Sequence, residues 1–194
     1  KRQFAIRAAL ASTLSPLWGM YSGFELFENV PVKEGSEEYL DSEKYQLRSR
    51  DYDQALATGT SLEPFIATLN KIRREHPALQ QLRNLHFHDI DNDNLLAYSK
   101  LDPVTGDAIL VVLNLDPWNA QEATVHLDMD RIGLRNHDRM DVTDLITGNQ
   151  FNWGKDNYVR LAPWENVAHI IKLPEIDVKL RHKLAWRDVP DYEG

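Results

Sequence analysis

Lys44 and Tyr45 set a compact ammonium with three donors beside a phenol that can both donate and accept. Such a pair suits a hydroxyl-rich or anionic ligand. Spacing alone fits a surface lysine beside a packing tyrosine equally well, so the surroundings must decide. The pair sits in the stretch from Leu14 to Arg48, which carries Trp18, Tyr21, Phe24, Phe27 and Tyr39 and shows no helical or strand period beyond its first residues. That is too aromatic for a low-hydrophobicity linker. A long irregular segment inside a compact domain is typically a functional loop, so the stretch is expected to be an ordered polar and aromatic binding loop. Its acidic residues Glu34, Glu37, Glu38, Asp41 and Glu43 could hold a cation or serve in acid-base work, but by charge patterning they read as a solvated loop face.

Other constellations carry less. Asp89-Ile90-Asp91-Asn92-Asp93 supplies the first three ligand positions of a calcium loop, yet Asn94 stands where the glycine is required and Lys100 where the final glutamate belongs. A hairpin turn is the better reading. His86 and His88 alternate along one strand and share a face, but a metal would need a third ligand, so a satisfied or exposed pair is expected. Gly19-Met20-Tyr21-Ser22-Gly23 imitates a nucleophile elbow with one residue too many between the first glycine and the serine. No metal or cofactor site is assigned.

Composition narrows the classes further. The 194 residues are 42% hydrophobic, enough for a real core in one domain or two small ones. Against 22 basic side chains stand 30 acidic ones, a net charge of −8 that repels phosphodiester backbones and anionic lipid. Neither nucleic acid nor a membrane surface is an expected partner. There is no cysteine, which excludes disulfides, zinc-cysteinate sites and thiol catalysis and suits a reducing cytosol. Lys1-Arg2 before FAIRAALASTL superficially resembles a secretory leader, but Arg7 interrupts the apolar run. The run from Ile109 to Leu115 is far shorter than the ~20 residues of a membrane span.

The elements that must position the loop fall into two textures. Phe4, Ala8, Ala11 and Leu14 recur at helical spacing, widened by Ile6 and Leu10 and stopped by Pro16. Leu17 to Ser22 is short and apolar, as a fully buried strand would be. After the loop, Ser61 as N-cap, Pro64 in the first turn and Phe65, Leu69 and Ile72 on one face predict a second helix ended by His76-Pro77. Helix, buried strand, loop and helix resemble part of a βα repeat, which cannot cover both faces of its strand alone. Residues 1–80 are therefore expected to belong to a larger parallel sheet or barrel. From Asn84 the spacing changes to short β-rich runs: Leu85 to His88, Leu95 to Leu101, Ala108 to Leu115, Ala123 to Leu127, Met140 to Asp144, Tyr158 to Leu161 and Val167 to Leu173. Turns rich in Asn, Asp and Gly separate them, which predicts an antiparallel β-sandwich over residues 81–173. Residues 174–194 form a charged tail with isolated apolar side chains.

Read as a block, SPLWGMYSGFELFENVPVKEGSEEYLDSEKYQLRSRD resembles the end of the catalytic barrel in the α-amylase family of glycoside hydrolases. EGSEEYLDSEKYQLR is similar to one branch in particular, the maltosyltransferases of actinobacteria. The likeness continues through SLEPFI, IRREHPALQQLR, HFHDIDNDNLLAYSK and NYVRL, up to about Pro174. The resemblance implies the end of a (β/α)₈ barrel followed by an antiparallel sandwich, with ligands at the C-terminal end of the barrel strands. It implies a retaining transfer of maltosyl units from maltose 1-phosphate to the non-reducing end of an α-1,4-glucan, by double displacement on two carboxylates with a third in support. None of those acids matches a position here, so they are expected upstream, in the remainder of the barrel. What carries over is Lys44 and Tyr45 as donor-sugar contacts, with Tyr21, Ser22, Gly23 and Glu25 lining the mouth. A homodimer in the cytoplasm, without a cofactor, is the family expectation. Two alternatives stay open: another enzyme of the family, such as a trehalose synthase or glucan hydrolase, or a non-catalytic carbohydrate-binding sandwich using Trp118, Trp153 and Trp164, for which packing roles are favoured.

Overall fold

The structure, a computed structural model, describes residues 1–40, 47–136 and 138–175. Helix α1 spans Arg2–Leu14, a short α2 spans Tyr52–Ala57 and α3 spans Glu63–Glu75. Eight strands follow: β1 Leu85–Ile90, β2 Leu95–Leu101, β3 Ala108–Asn114, β4 Gln121–His126, β5 Met140–Asp144, β6 Gln150–Trp153, β7 Asp156–Leu161 and β8 Ala168–Lys172. All their pairings are antiparallel, in the order β6-β5-β8-β3-β2-β1-β4-β7.

Two features bend this sheet back on itself. β1 pairs with β2 through Leu85 to His88 and with β4 through Asp89 and Ile90, so it changes partners midway. The outermost strands β6 and β7 are joined by only Gly154 and Lys155, which brings the two edges together. The expected sandwich is thus a nearly closed, barrel-like sheet. Its interior is filled by Leu95, Ala97, Leu110, Val112, Val125, Leu127, Met140, Val142, Trp153, Val159, Leu161 and Ile171, all buried. Closure also shortens the edges that would otherwise offer unpaired backbone groups to another chain.

β3 is buried along its whole length, which explains why AILVVLN reads as a continuous apolar run instead of an alternation. Leu110 and Val112 point into the barrel, while Ile109, Val111 and Leu113 face outward. There they meet a second core, built with Tyr98, Ala168 and Ile170 of the sheet, Phe4, Ile6, Ala8 and Ala9 of α1, and Ile66, Leu69 and Ile72 of α3. Each fully buried Leu or Ile there contributes roughly 1.5–3 kcal/mol of hydrophobic stabilisation. The helices are therefore held to the β domain as a covering layer.

Local signals explain most boundaries. Asp51 caps α2 by accepting from the Gln54 amide at 2.9 Å, and Ser61 Oγ accepts from the Glu63 amide at 3.1 Å at the start of α3. His76 is extended at the end of α3, and Pro77 opens a 3₁₀ turn from Pro77–Gln80. The buried face of α1 is turned from its expected position: Ala11 is exposed, and Ser12 and Thr13 are buried. Their hydroxyls donate to the Ala9 carbonyl at 3.1 and 2.6 Å, and Thr13 Oγ1 meets the Tyr98 hydroxyl at 2.5 Å, so both buried hydroxyls have partners. Burial pushes the Tyr98 phenol up to about 12.

One expected element is absent. Leu17 to Ser22 forms no strand, and Leu17 is 84% exposed. Among the described residues no strand offers it a hydrogen-bonding ladder, and an apolar run without one has no reason to extend into a sheet.

Candidate functional site

The loop following α1 builds a small cleft, open to solvent and lined by Tyr21, Ser22, Gly23, Phe24, Glu28, Asn29, Val30, Tyr39, Leu40, Arg48 and Arg50. Its floor is a single 3₁₀ turn from Phe24–Leu26, entered through Gly23 at φ +102° and left through Phe27 at φ +59°. A non-glycine residue in the left-handed region is strained, so packing must hold Phe27 there. The Phe27 ring stands edge-on to Phe4 of α1 at 5.5 Å between centroids, and Phe24 packs on the same ring at 4.9 Å. The Leu62 amide donates to the Glu25 carbonyl at 2.7 Å, which ties the turn to the start of α3.

Beyond the turn the chain doubles back. The Leu40 amide donates to the Val30 carbonyl at 2.7 Å and the Val32 amide to the Glu38 carbonyl at 2.8 Å, around a Pro31–Tyr39 bridge. Gly35, at φ +76°, turns the tip. This small hairpin returns Tyr39 and Leu40 to the cleft beside Val30. The acidic side chains Glu34, Glu37 and Glu38 lie exposed around its tip, as a solvated loop face should.

Glu28 is the electrostatic centre of the cleft. Arg50 grips it with a fork, Nε donating to Oε1 at 2.9 Å and Nη2 to Oε2 at 3.1 Å, and Arg48 approaches Oε1 at 3.4 Å. The hydrogen bond from Arg50, aided by the charges of both arginines, holds the Glu28 carboxyl below its ordinary value. Glu28 is thus a fixed anion, and with Glu25 on the Gly23 amide beside it the two guanidiniums are balanced by two carboxylates. A Cβ on Gly23 would come within 2.0 Å of Glu28 Oε2, so this position needs glycine for both its φ and the close approach of the pinned carboxylate. The cleft offers tyrosine faces, fixed polar groups and apolar edges, a wall suited to a polyhydroxylated ligand.

Tyr21, Ser22 and Gly23, expected at the mouth, line the cleft. Glu25, expected with them, acts as a brace: Oε2 accepts from the Gly23 amide at 3.0 Å. Lys44 and Tyr45 lie outside the described residues. Glu28, Arg48 and Arg50 were not singled out from the sequence. The signal for them was weak: an isolated Glu after an aromatic run and two arginines spaced by one residue.

A second cleft, on the β domain, gathers His86, His88, His126, Asp89, Asp128 and Asp156. Its imidazoles are already engaged. His88 accepts from the Asp128 amide at 3.1 Å through Nδ1 and shares a hydrogen bond with Ser99 Oγ at 2.8 Å through Nε2. Burial, with His86 beside it, drives His88 down to about 4 and keeps it neutral. His86 pairs with Asp128 at 3.4 Å, and His126 lies between Asp156 at 2.7 Å and Asp91 at 3.1 Å. Among the described residues no group of three His, Asp or Glu side chains is arranged to hold a metal. The neighbouring Asp91 to Asn94 turn is a hairpin connection in which Asn92 Oδ1 accepts from the Asn94 amide at 2.9 Å. Of the three tryptophans weighed for sugar binding, Trp153 packs inside the barrel, while Trp118 and Trp164 are exposed.

The arrangement of helices, cleft loop and curled sheet has a counterpart in solved structures. It aligns with a crystal structure of AmyP in complex with maltotriose, at a TM-score of 0.61 and 13% identity, over 91% of this chain and 35% of that one. It also aligns with the maltogenic α-amylase AmyB of Thermotoga neapolitana, at a TM-score of 0.58 and 11% identity, over 89% and 36%. The chain therefore shares its fold with a segment of each of these two proteins. Residues 87–173 match the family model described as GLGE, C-terminal. The whole chain is 62% identical to the α-1,4-glucan:maltose-1-phosphate maltosyltransferase of Corynebacterium pseudotuberculosis and 57% identical to that of Corynebacterium glutamicum. It is 58% identical over 184 residues to the protein of that name from Mycobacterium tuberculosis. It spans 29% of the length of each Corynebacterium protein and 26% of the Mycobacterium one. Over its whole length the chain is thus similar to a part of these maltosyltransferases, and residues 87–173 match the model of their C-terminal domain.

Proposed function

We propose that this chain is the part of a retaining maltosyltransferase that walls the donor-sugar site and carries the C-terminal β domain. The complete enzyme moves maltosyl units from maltose 1-phosphate to the non-reducing end of an α-1,4-glucan in α-glucan biosynthesis. The observation that carries this reading is the 62% identity across all 194 residues, cleft loop included, to a protein named for that reaction. Residues 1–80 supply the last part of the catalytic (β/α)₈ barrel and residues 81–173 the C-terminal domain. In this reading Lys44 and Tyr45 reach the donor sugar and bond its hydroxyls, while the cleft wall of Tyr21, Ser22 and Tyr39 faces the same site.

Retention requires two displacements at the anomeric carbon. A carboxylate attacks and expels phosphate, a carboxylic acid protonates the departing oxygen, and the same group then deprotonates the acceptor hydroxyl. Those groups lie in the polypeptide outside these 194 residues. The contribution of this chain is orientation: fixed donors and aromatic faces that hold the sugar with its anomeric carbon in line. The enzyme acts in the cytoplasm as a homodimer. Among the described residues no helix is long and apolar enough to cross a membrane.

The test is incubation of the full-length protein with maltose 1-phosphate and a short α-1,4-glucan. Release of phosphate with chains growing by two glucose units supports the reading; trehalose formation or glucan hydrolysis alone would replace it with another activity of the same fold.

A further inference from the structure

The end of α1 is held in an unusual way. A helix leaves its last four carbonyls without intrahelical partners, and a glycine in left-handed geometry commonly resolves this. Here Ser15, at φ −102° and ψ 143°, continues directly into an extended chain, and Pro16 can donate nothing. The exposed carbonyls are met by two cations from other elements. Arg73 of α3 donates through Nη1 to the carbonyls of Ser12 and Ser15, the latter at 2.9 Å, and through Nη2 to that of Pro16 at 2.7 Å. Lys100 of β2 donates to the Leu14 carbonyl at 3.3 Å and the Gln81 carbonyl at 2.5 Å. Two residues past Pro16, Trp18 Nε1 donates to Asn70 Oδ1 at 3.2 Å, one helical turn before Arg73 on α3.

Lys100 is 1% exposed, and among the described residues no carboxylate pairs with it or with Arg73. Burial, with the charge of Arg73 nearby, brings the Lys100 ammonium down to about 8. A buried cation without a carboxylate is costly, and what offsets the cost here is hydrogen bonding to carbonyls that would otherwise lack a donor. An ion pair therefore does not account for a lysine here. Its position does: the carbonyls at a helix C-terminus carry partial negative charge, and they sit at the root of the cleft loop.

We propose that Arg73 and Lys100 are positioning residues for the cleft, fixing the direction in which the loop leaves α1 and so the placement of Tyr21, Gly23 and Glu28. The proposal rests on the reading of that cleft as the donor-sugar wall.

The full-length protein carrying Lys100→Met tests it, with Arg73→Lys as a second variant that keeps the charge and loses the fork. The expected result for Lys100→Met is a KM for maltose 1-phosphate raised about 5-fold or more with kcat changed by less than about 2-fold, beyond any fall in Tm from the carbonyls left without a donor. Arg73→Lys shows the same split. A lowered Tm with unchanged KM would make both residues merely structural and overturn the proposal. Amide hydrogen exchange over residues 17–40 reads the anchor without substrate: faster exchange there in Lys100→Met, with β2 and β3 unchanged, supports it, and identical exchange overturns it. If the wild-type protein transfers nothing from maltose 1-phosphate while the variant loosens the loop, the donor-sugar reading fails and the anchor stands.

Discussion

The cleft loop and the β domain bury their apolar side chains in opposite ways. In the β domain the sheet curls around one core and turns its outer face to α1 and α3, so β3 has no exposed residue. In the loop, Leu17, Tyr21, Val30, Tyr39, Leu40 and Leu47 are all exposed. Apart from Phe24 and Phe27, which pack on Phe4, the loop is held by polar devices: the arginine fork on Glu28, the brace of Glu25 on Gly23, and the two cations at the end of α1. A region fixed by hydrogen bonds and ion pairs, with its apolar side chains facing outward, is shaped to meet something else. The remaining length of the relatives' polypeptide is the natural occupant, consistent with the proposed barrel.

The largest expected effect comes from separating the two regions. Residues 1–80 expressed alone lose the sheet against which Phe4, Ile66, Leu69 and Ile72 pack, and should aggregate or bind a hydrophobic dye. A cooperatively folded monomer would show that the second core is dispensable. Next, Leu110→Ala inside the barrel should cost about 3 kcal/mol in chemical denaturation, within the range for leucines that leave a cavity. By contrast, Leu17→Ala in the isolated 194-residue chain should stay within about 0.5 kcal/mol. A cost for Leu17→Ala of more than about 1 kcal/mol in the full-length protein would locate it under the rest of the enzyme.

His88 gives the β domain an acid limit. Its folded value, about 4, lies below the ordinary 6.5, so the unfolded chain binds the proton first as pH falls. Stability is full above pH 6.5 and declines between 6.5 and 4, by about 3 kcal/mol from this group. His86, Asp89 and Asp128 are the charged neighbours. Urea midpoints measured across that range should fall less steeply in His88→Gln, and identical slopes would remove His88 from the account.

The smaller effects belong to the cleft. Gly23→Ala must strain φ and displace the pinned Glu28, costing about 1–2 kcal/mol and raising KM for the donor. Lys44→Ala in the full-length enzyme should raise KM for maltose 1-phosphate and lower kcat/KM about tenfold, the loss of roughly one charged hydrogen bond. Unchanged kinetics would return Lys44 to the surface.

Much of the β domain was legible in the sequence, because its strands are bounded by turn chemistry. Asn92, Asp102, Asp116 and Asp144 each accept backbone amides at a turn, and the runs Leu95–Leu101 and Met140–Asp144 match their strands residue for residue. β6 was missed because QFNW is short and polar, and only its register with β5 makes it a strand. The closing of the sheet was not legible either, since it follows from β1 changing partners and from two edges meeting across Gly154-Lys155. In the cleft, Tyr21 to Gly23 could be expected at the mouth from the resemblance. The Val30–Leu40 hairpin and the Glu28–Arg50 fork could not, because long-range ion pairs leave no period in a sequence.

Full-length protein, maltose 1-phosphate and maltohexaose are mixed, and products are followed by phosphate release and mass. The account predicts stoichiometric phosphate and glucans longer by two glucose units, with the α configuration retained. Phosphate release without elongation, or no reaction with maltose 1-phosphate while another α-glucoside is consumed, would contradict it.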